Sequence, residues 1–238
     1  MLALGLGLSL RLVLQAGRLA TAAERIARGN LDAAVPPMTG ALGQLAPAVR
    51  RTAAALARRE RETDALVALA ALPQTLDGDD AEAIGRLLED VRRAIAGVLD
   101  VRALTLVALV DGGERIRRLG TSQRERADAH YARAGSAVAA MLGRGDAILF
   151  DVDRGVHPED ATARAAGARA YAVVPLGSAA TATATGALIV DLGLCAVAVA
   201  ELRFLGLVAH ELAARLAAAN PGAHDERRPQ IQRAARST

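Results

Sequence analysis

Two sevenfold stripes of aliphatic residues limit what this chain can fold into. Leu12, Leu19 and Ile26 recur every seven residues, with Ala22 and Ala23 on the same side and Arg18, Glu24, Arg25 and Arg28 elsewhere. Leu42, Leu45, Val49, Thr52 and Leu56 follow a 3-4-3-4 spacing. Both patterns belong to a helix that meets another helix along a narrow seam. Neither stripe is wide enough to bury itself, so together they predict a parallel homodimer in which four helices share one core. Gly29-Asn30 is a natural stop for the first helix, and residues 31–40, with Pro36, Pro37 and Gly40, read as an extended connector. The second helix is expected to run through Arg58-Arg59-Glu60-Arg61-Glu62 to Leu72, where Pro73 ends it. Pro47 sits near its start; proline is tolerated in a first turn and disruptive later, so a local kink is expected.

Residues 1–14 are apolar apart from Ser9 and Arg11. The run is shorter than the roughly 20 apolar residues that span a bilayer, and no basic residues precede it as they would in a signal peptide. It reads as the tail of a transmembrane helix begun upstream, with Arg11 and Arg18 as its cytoplasmic flank. The membrane is thus an expected partner through the N-terminus, and the cytoplasmic side of the inner membrane the expected location. A genuine start at Met1 would instead give a soluble cytoplasmic protein.

Beyond Pro73 the pattern alternates between helix and strand. Asp79-Asp80 can cap a helix whose apolar face is Ile84, Leu87, Leu88, Val91, Ile95 and Leu99. Residues 101–110 form a near-continuous apolar strand, and Asp111-Gly112-Gly113 turns it into a second strand over 114–120. Residues 122–144 read as an amphipathic helix, 147–152 as a short strand and 158–168 as a short helix or loop. A hairpin of 170–176 and 185–192 follows, then a closing helix over 199–219. The polar stretch after Pro221 reads as a disordered tail.

Composition narrows the chemistry. Hydrophobic residues make up 52% of the chain but aromatics only 2%, so the core is aliphatic and offers few ring faces to a base, a flavin or a haem. There is no lysine, and the arginines are interleaved with acids rather than gathered on one face. No nucleic-acid partner is expected from that pattern. The lone Cys195 cannot form an internal disulfide, which fits a reducing compartment, and has no companion at metal-ligand spacing.

The first segment resembles a HAMP linker, the dimeric helical relay of bacterial membrane receptors. The resemblance is carried by Ala22-Ala23-Glu24-Arg25-Ile26-Ala27-Arg28-Gly29-Asn30-Leu31, by Val35-Pro36 and by Leu42-Gly43-Gln44-Leu45-Ala46. The remainder resembles a GAF domain, a sensor fold related to PAS, through the order of its elements. It does so most clearly in Ala172-Val173-Val174-Pro175-Leu176, in Gly186-Ala187-Leu188-Ile189-Val190 and in the helix from Glu201. The resulting expectation is an α+β chain: a HAMP-like segment over 15–62, a signalling helix over 63–75, and a GAF antiparallel sheet flanked by helices over 76–219. The function so implied is a non-catalytic signal relay and sensor within a two-component system. A downstream signalling protein or a further output domain would receive the signal.

In GAF domains the ligand lies between the sheet and its covering helices, which implies a pocket near Phe150, Asp151, Tyr171 and Val173. No cofactor is specified. The family's cyclic-nucleotide pattern needs a lysine, and Cys195 lies after the last strand, outside the place of a bilin-bearing cysteine. Haem would have to use His130 or His157, and His157, beside Pro158, is expected at the surface. The alternative function is a degenerate or truncated sensor histidine kinase. Its phosphoacceptor would be His210, in Phe204-Leu205-Gly206-Leu207-Val208-Ala209-His210-Glu211-Leu212. No glycine-rich ATP lid follows, and His210 fits the closing helix equally well. Neither a nucleophile elbow, a P-loop nor a metal motif is present. Asp151 and Asp153 share a strand face but lack the further ligand that a metal site needs.

Overall fold

The computed structural model describes residues 2–30, 33–38, 41–72, 81–123, 130–177, 186–194 and 197–219. The chain divides into two compact units, Met1–Asp64 and Ala65–Thr238.

The first unit holds α1 (Leu2–Ala27) and most of α2 (Ala41–Ala70). Gly29, at φ 92°, ends α1. Its N–H reaches the carbonyl of Ile26 at 3.0 Å, and that of Asn30 reaches Arg25 at 2.9 Å, the pair of bonds that closes a helix on a left-handed residue. Within this unit Ala22 and Ile26 of α1 and Ala46 and Ala53 of α2 are buried. Of the seam residues, Ile26 alone among those with described side chains is fully buried; Leu19 and Val49 are half-buried, while Leu12, Leu45 and Leu56 remain 44%, 52% and 43% exposed. The single chain therefore buries Ile26 and the small residues beside the stripes and leaves Leu12, Leu45 and Leu56 largely in water. The side chain of Leu42 lies outside the described residues. Pro47 is incorporated within α2. Among the described residues no helix is long and apolar enough to cross a membrane.

The second unit is built on a six-stranded antiparallel sheet of order β3-β2-β1-β6-β5-β4. Its strands are β1 (Val101–Val110), β2 (Arg115–Thr121), β3 (His130–Ala132), β4 (Ile148–Asp151), β5 (Ala170–Leu176) and β6 (Gly186–Leu192). The helices are α3 (Ala81–Ile95), α4 (Ala137–Arg144), α5 (Pro158–Ala165) and α6 (Val199–Ala219). Alternation along the strands sorts their side chains to two faces. Leu104, Leu106, Ala172, Val174, Leu188 and Val190 point into one aliphatic core. There they meet Ile84, Leu88 and Val91 of α3, Phe204, Leu205 and Val208 of α6, and Ala65 and Leu69 at the end of α2. Val107, Ile116, Tyr171, Val173, Ala187 and Ile189 point the other way, under Val138 and Met141 of α4 and Ala163 of α5.

Close approach of α3 to the sheet depends on glycine. A Cβ on Gly120 of β2 would stand 2.6 Å from Ile84 Cγ2. Pro175 lies within β5, opposite Ala187 of β6. The missing N–H of a proline is tolerated at the side of a strand that has no ladder to feed. β4 provides that side, because its pairing with β5 stops at Val173.

The long helix expected over 122–144 is not there. β3 occupies 130–132 and pairs with β2, and among the described residues of that stretch only Ala137–Arg144 is helical. Ser136 marks the true start, its Oγ accepting from Ala139 N at 3.0 Å, and Gly145 at φ 76° ends the helix. Residues 124–129 lie outside the described residues, as do Asp79-Asp80, Cys195 and the tail beyond 219.

Candidate functional site

Polar side chains under α4 and α5 form two adjoining groups, one around Glu159 and one around Asp160. Glu159 and Asp160, in the first turn of α5, are both buried. Glu159 reaches across to the start of α4, where its carboxylate accepts from Ala137 N at 3.0 Å and Val138 N at 3.5 Å. It thereby satisfies backbone donors that the first turn of a helix leaves open. Tyr131 of β3, half-buried, lies beside the same carboxylate; burial, then the Glu159 charge, push its phenol well above the ordinary tyrosine value.

Asp160 serves a second tyrosine. Tyr171 Oη donates to its Oδ1 at 2.7 Å, and His157 N donates to its Oδ2 at 2.8 Å. Tyr171 is fully buried. Burial first, then the bond to Asp160 and the nearby Asp160, Glu159 and Asp191 charges, drive its phenol strongly upward. Asp191 of β6 is buried directly opposite Tyr171 in the ladder.

The aromatic rings complete the wall. Phe150 stacks on Tyr171 with centroids 5.3 Å apart, and His157 meets the edge of Phe150 at 5.0 Å. Such offset and edge contacts suit the ring quadrupoles. His157 Nδ1 lies 2.9 Å from the carbonyl of Gly135, so it carries the proton in that bond.

This wall borders a cleft of about 420 Å³, lined by Leu149, Phe150, Asp151, Arg154, Val156, His157 and Asp160. Its size suits a small ligand. A wider cleft of about 960 Å³ runs between α3 and β2. Its walls, however, carry Arg86, Glu82, Arg93 and Glu89, which pair with one another at 3.1 and 3.5 Å. The smaller cleft, with its aromatic floor, is the better candidate site.

Of the four residues expected at a pocket, Phe150 and Tyr171 are brought together. Val173 is buried on the same sheet face, two residues along β5. Asp151 is exposed and sits at the rim, its Oδ1 accepting from Asp153 N at 2.9 Å as the cap of a 3-10 turn over Val152–Arg154. His157 is not the surface residue expected: it is half-buried against Phe150. His130 and His210 are exposed, the latter on α6. Among the described residues no group of three or more His, Cys, Asp or Glu side chains is placed to hold a metal ion. The residues sequence reasoning missed are Tyr131, Glu159 and Asp160. The only signal was the pair of acids after Pro158, which an exposed helix start would show equally.

No family model matches the chain, and no curated protein matches it. Solved structures do. A GAF domain of a phosphoenolpyruvate-protein phosphotransferase from Coxiella burnetii superposes with TM-score 0.51 at 16% identity, covering 70% of this chain and 96% of that one. The A. aeolicus nlh2 GAF domain gives 0.50 at 11%, over 67% and 97%. A free methionine-R-sulfoxide reductase from Neisseria meningitidis gives 0.50 at 17%, over 69% and 90%. At these identities the likeness is one of fold. The six-stranded sheet with its covering helices is a GAF fold.

Proposed function

We propose that the chain is a non-catalytic signalling module, in which a HAMP-like helical pair is coupled to a GAF-fold sensor of a small molecule or a protein partner. One observation carries this reading: α2 belongs to both units. It contributes Ala46 and Ala53 to the buried residues of the first, and Ala65 and Leu69 to the aliphatic core of the second. Leu69 there shares the core with Phe204, Leu205 and Val208 of α6. A bias on α2 is thus applied to the same packed core that holds the last helix. The stripe of exposed Leu12, Leu45 and Leu56 supports a homodimer. The run of apolar residues before Arg11 supports membrane association.

In this reading a ligand enters the cleft beside Phe150 and His157, and its binding energy is spent on the placement of α5 and β5. The test is amide hydrogen exchange of the full chain during a screen of small metabolites. A compound that protects peptides around 148–160 and also changes exchange in α6 supports the sensor. A compound that protects the cleft and leaves α2 and α6 unchanged overturns it. Turnover of methionine-R-sulfoxide in the presence of dithiothreitol would overturn the non-catalytic assignment.

A further inference from the structure

A buried arginine joins the end of α2 to α6. Arg215 Nη2 donates to the carbonyl of Leu69 and Nη1 to that of Leu72, each at 2.6 Å. Its Nε donates to Glu211 Oε1 at 3.0 Å, and Nη2 lies 2.9 Å from the same oxygen. The Arg215 side chain is only 7% exposed, whereas Glu211, one turn earlier on α6, is 41% exposed. The last carbonyls of a helix have no partner within it, and positive charge is favoured at that end. Leu69 O already accepts from Leu72 N at 3.1 Å, so Arg215 adds a second donor there and also takes the Leu72 carbonyl just past the helix, tying the end of α2 to a helix 143 residues further along the chain.

The geometry is selective as well as cohesive. A guanidinium is a planar fork with donors in fixed directions, and here one arm takes the Leu69 carbonyl in the last turn of α2 and another the Leu72 carbonyl just past it. Moving α2 by one residue means a rise of about 1.5 Å and a rotation of about 100°. Both carbonyls would leave the fork together. Partial slippage keeps neither bond, so the contact favours discrete positions over a continuous slide.

We propose that Arg215 is a register latch: it detects the rotational and axial position of α2 and passes that position to α6. The proposal rests on the relay reading and adds its junction. Glu211 is the positioning residue that holds the fork, and the C-terminal half of α6 is the element that responds.

The test changes the register of α2 directly, in the full chain, by inserting one alanine after Ala54. Exchange is then compared in native, Arg215→Gln and Arg215→Lys backgrounds. In the native background the insertion is expected to raise exchange of the α6 amides beyond Leu212 about tenfold, with β1 and β6 unchanged. Arg215→Gln is expected to show that raised rate without the insertion, and the insertion then adds less than about twofold. Arg215→Lys, a point charge without the fork, should behave like Arg215→Gln. An equal response to the insertion in native and Arg215→Gln chains overturns the latch, as does a native α6 rate in Arg215→Gln alone. Should Arg215→Gln fail to fold, Glu211→Gln keeps the fork but releases its holder. A partial rise in α6 exchange then supports the latch, and none overturns it. Because the insertion bypasses the cleft, failure of ligand sensing leaves this comparison intact. A ligand response in α6 without an insertion response would remove the latch and leave the sensor standing.

Discussion

Tyr171 donates to Asp160 at 2.7 Å, tying the middle of β5 to the first turn of α5. The bond is buried at both ends, and Asp160 also lines the cleft. Tyr171→Phe would leave Asp160 Oδ1 without this donor. A loss of about 1–3 kcal/mol is expected, the cost of an unsatisfied buried acceptor, read as a lower urea midpoint at unchanged slope. A midpoint equal to that of the native protein would show that the bond contributes nothing net.

The two tyrosines are the only phenols in the chain, and no lysine titrates beside them. Both are held above the ordinary tyrosine value in the folded state, by burial first. Their contribution is therefore fully present below the unfolded value of about 10 and is lost as pH rises beyond it, because the unfolded chain releases protons that the folded one retains. Stability should fall by up to about 1.4 kcal/mol per pH unit for each tyrosine. Absorbance at 295 nm should show no tyrosinate until the chain unfolds, then both phenols at once. Gradual ionisation with an ordinary midpoint in the folded protein would contradict the buried placement.

Gly120→Ala tests how closely α3 lies on the sheet. The added Cβ would collide with Ile84, itself buried, and overpacking of this kind costs about 1–3 kcal/mol. Pairing it with Ile84→Ala, which makes room, should recover part of the loss in a double-mutant cycle. Purely additive losses would mean that the two positions do not meet.

The exposed stripe of the first unit makes an assembly prediction. Sedimentation of the full chain at micromolar concentration should give a two-subunit species, and Leu45→Glu with Leu56→Glu should convert it to one subunit. A single-subunit particle in the native protein at high concentration would refute the four-helix arrangement. Both substituted positions are exposed in the single chain, so the fold of each subunit should survive, as read from far-ultraviolet circular dichroism.

Much of the sheet was legible because its strands are long apolar runs bounded by glycine or charge. β1 and β5 fall where the sequence places them, and so does α6. The helix with Ile84, Leu87, Leu88, Val91 and Ile95 on one face buries all five. β3 was not legible. It has three residues and lies at the sheet edge with His130 and Ala132 exposed, so no alternation can establish itself before Ser136 opens α4. The polar wall was hidden for a different reason. Glu159 and Asp160 are bound to groups 22 and 11 residues away in the chain, and local sequence carries no trace of such pairing. Phe150 and Tyr171 were found through family likeness; their stacking comes from the β4–β5 register, in which they are direct partners.

Pro175 has a consequence for how the protein behaves in a crowd. The length of β5 that runs past the end of β4 would otherwise be an open invitation to a foreign backbone. A residue with nothing to donate makes that rim a poor template. Replacing it would restore the missing donor and, with it, a route by which copies of the molecule could stitch themselves into filaments.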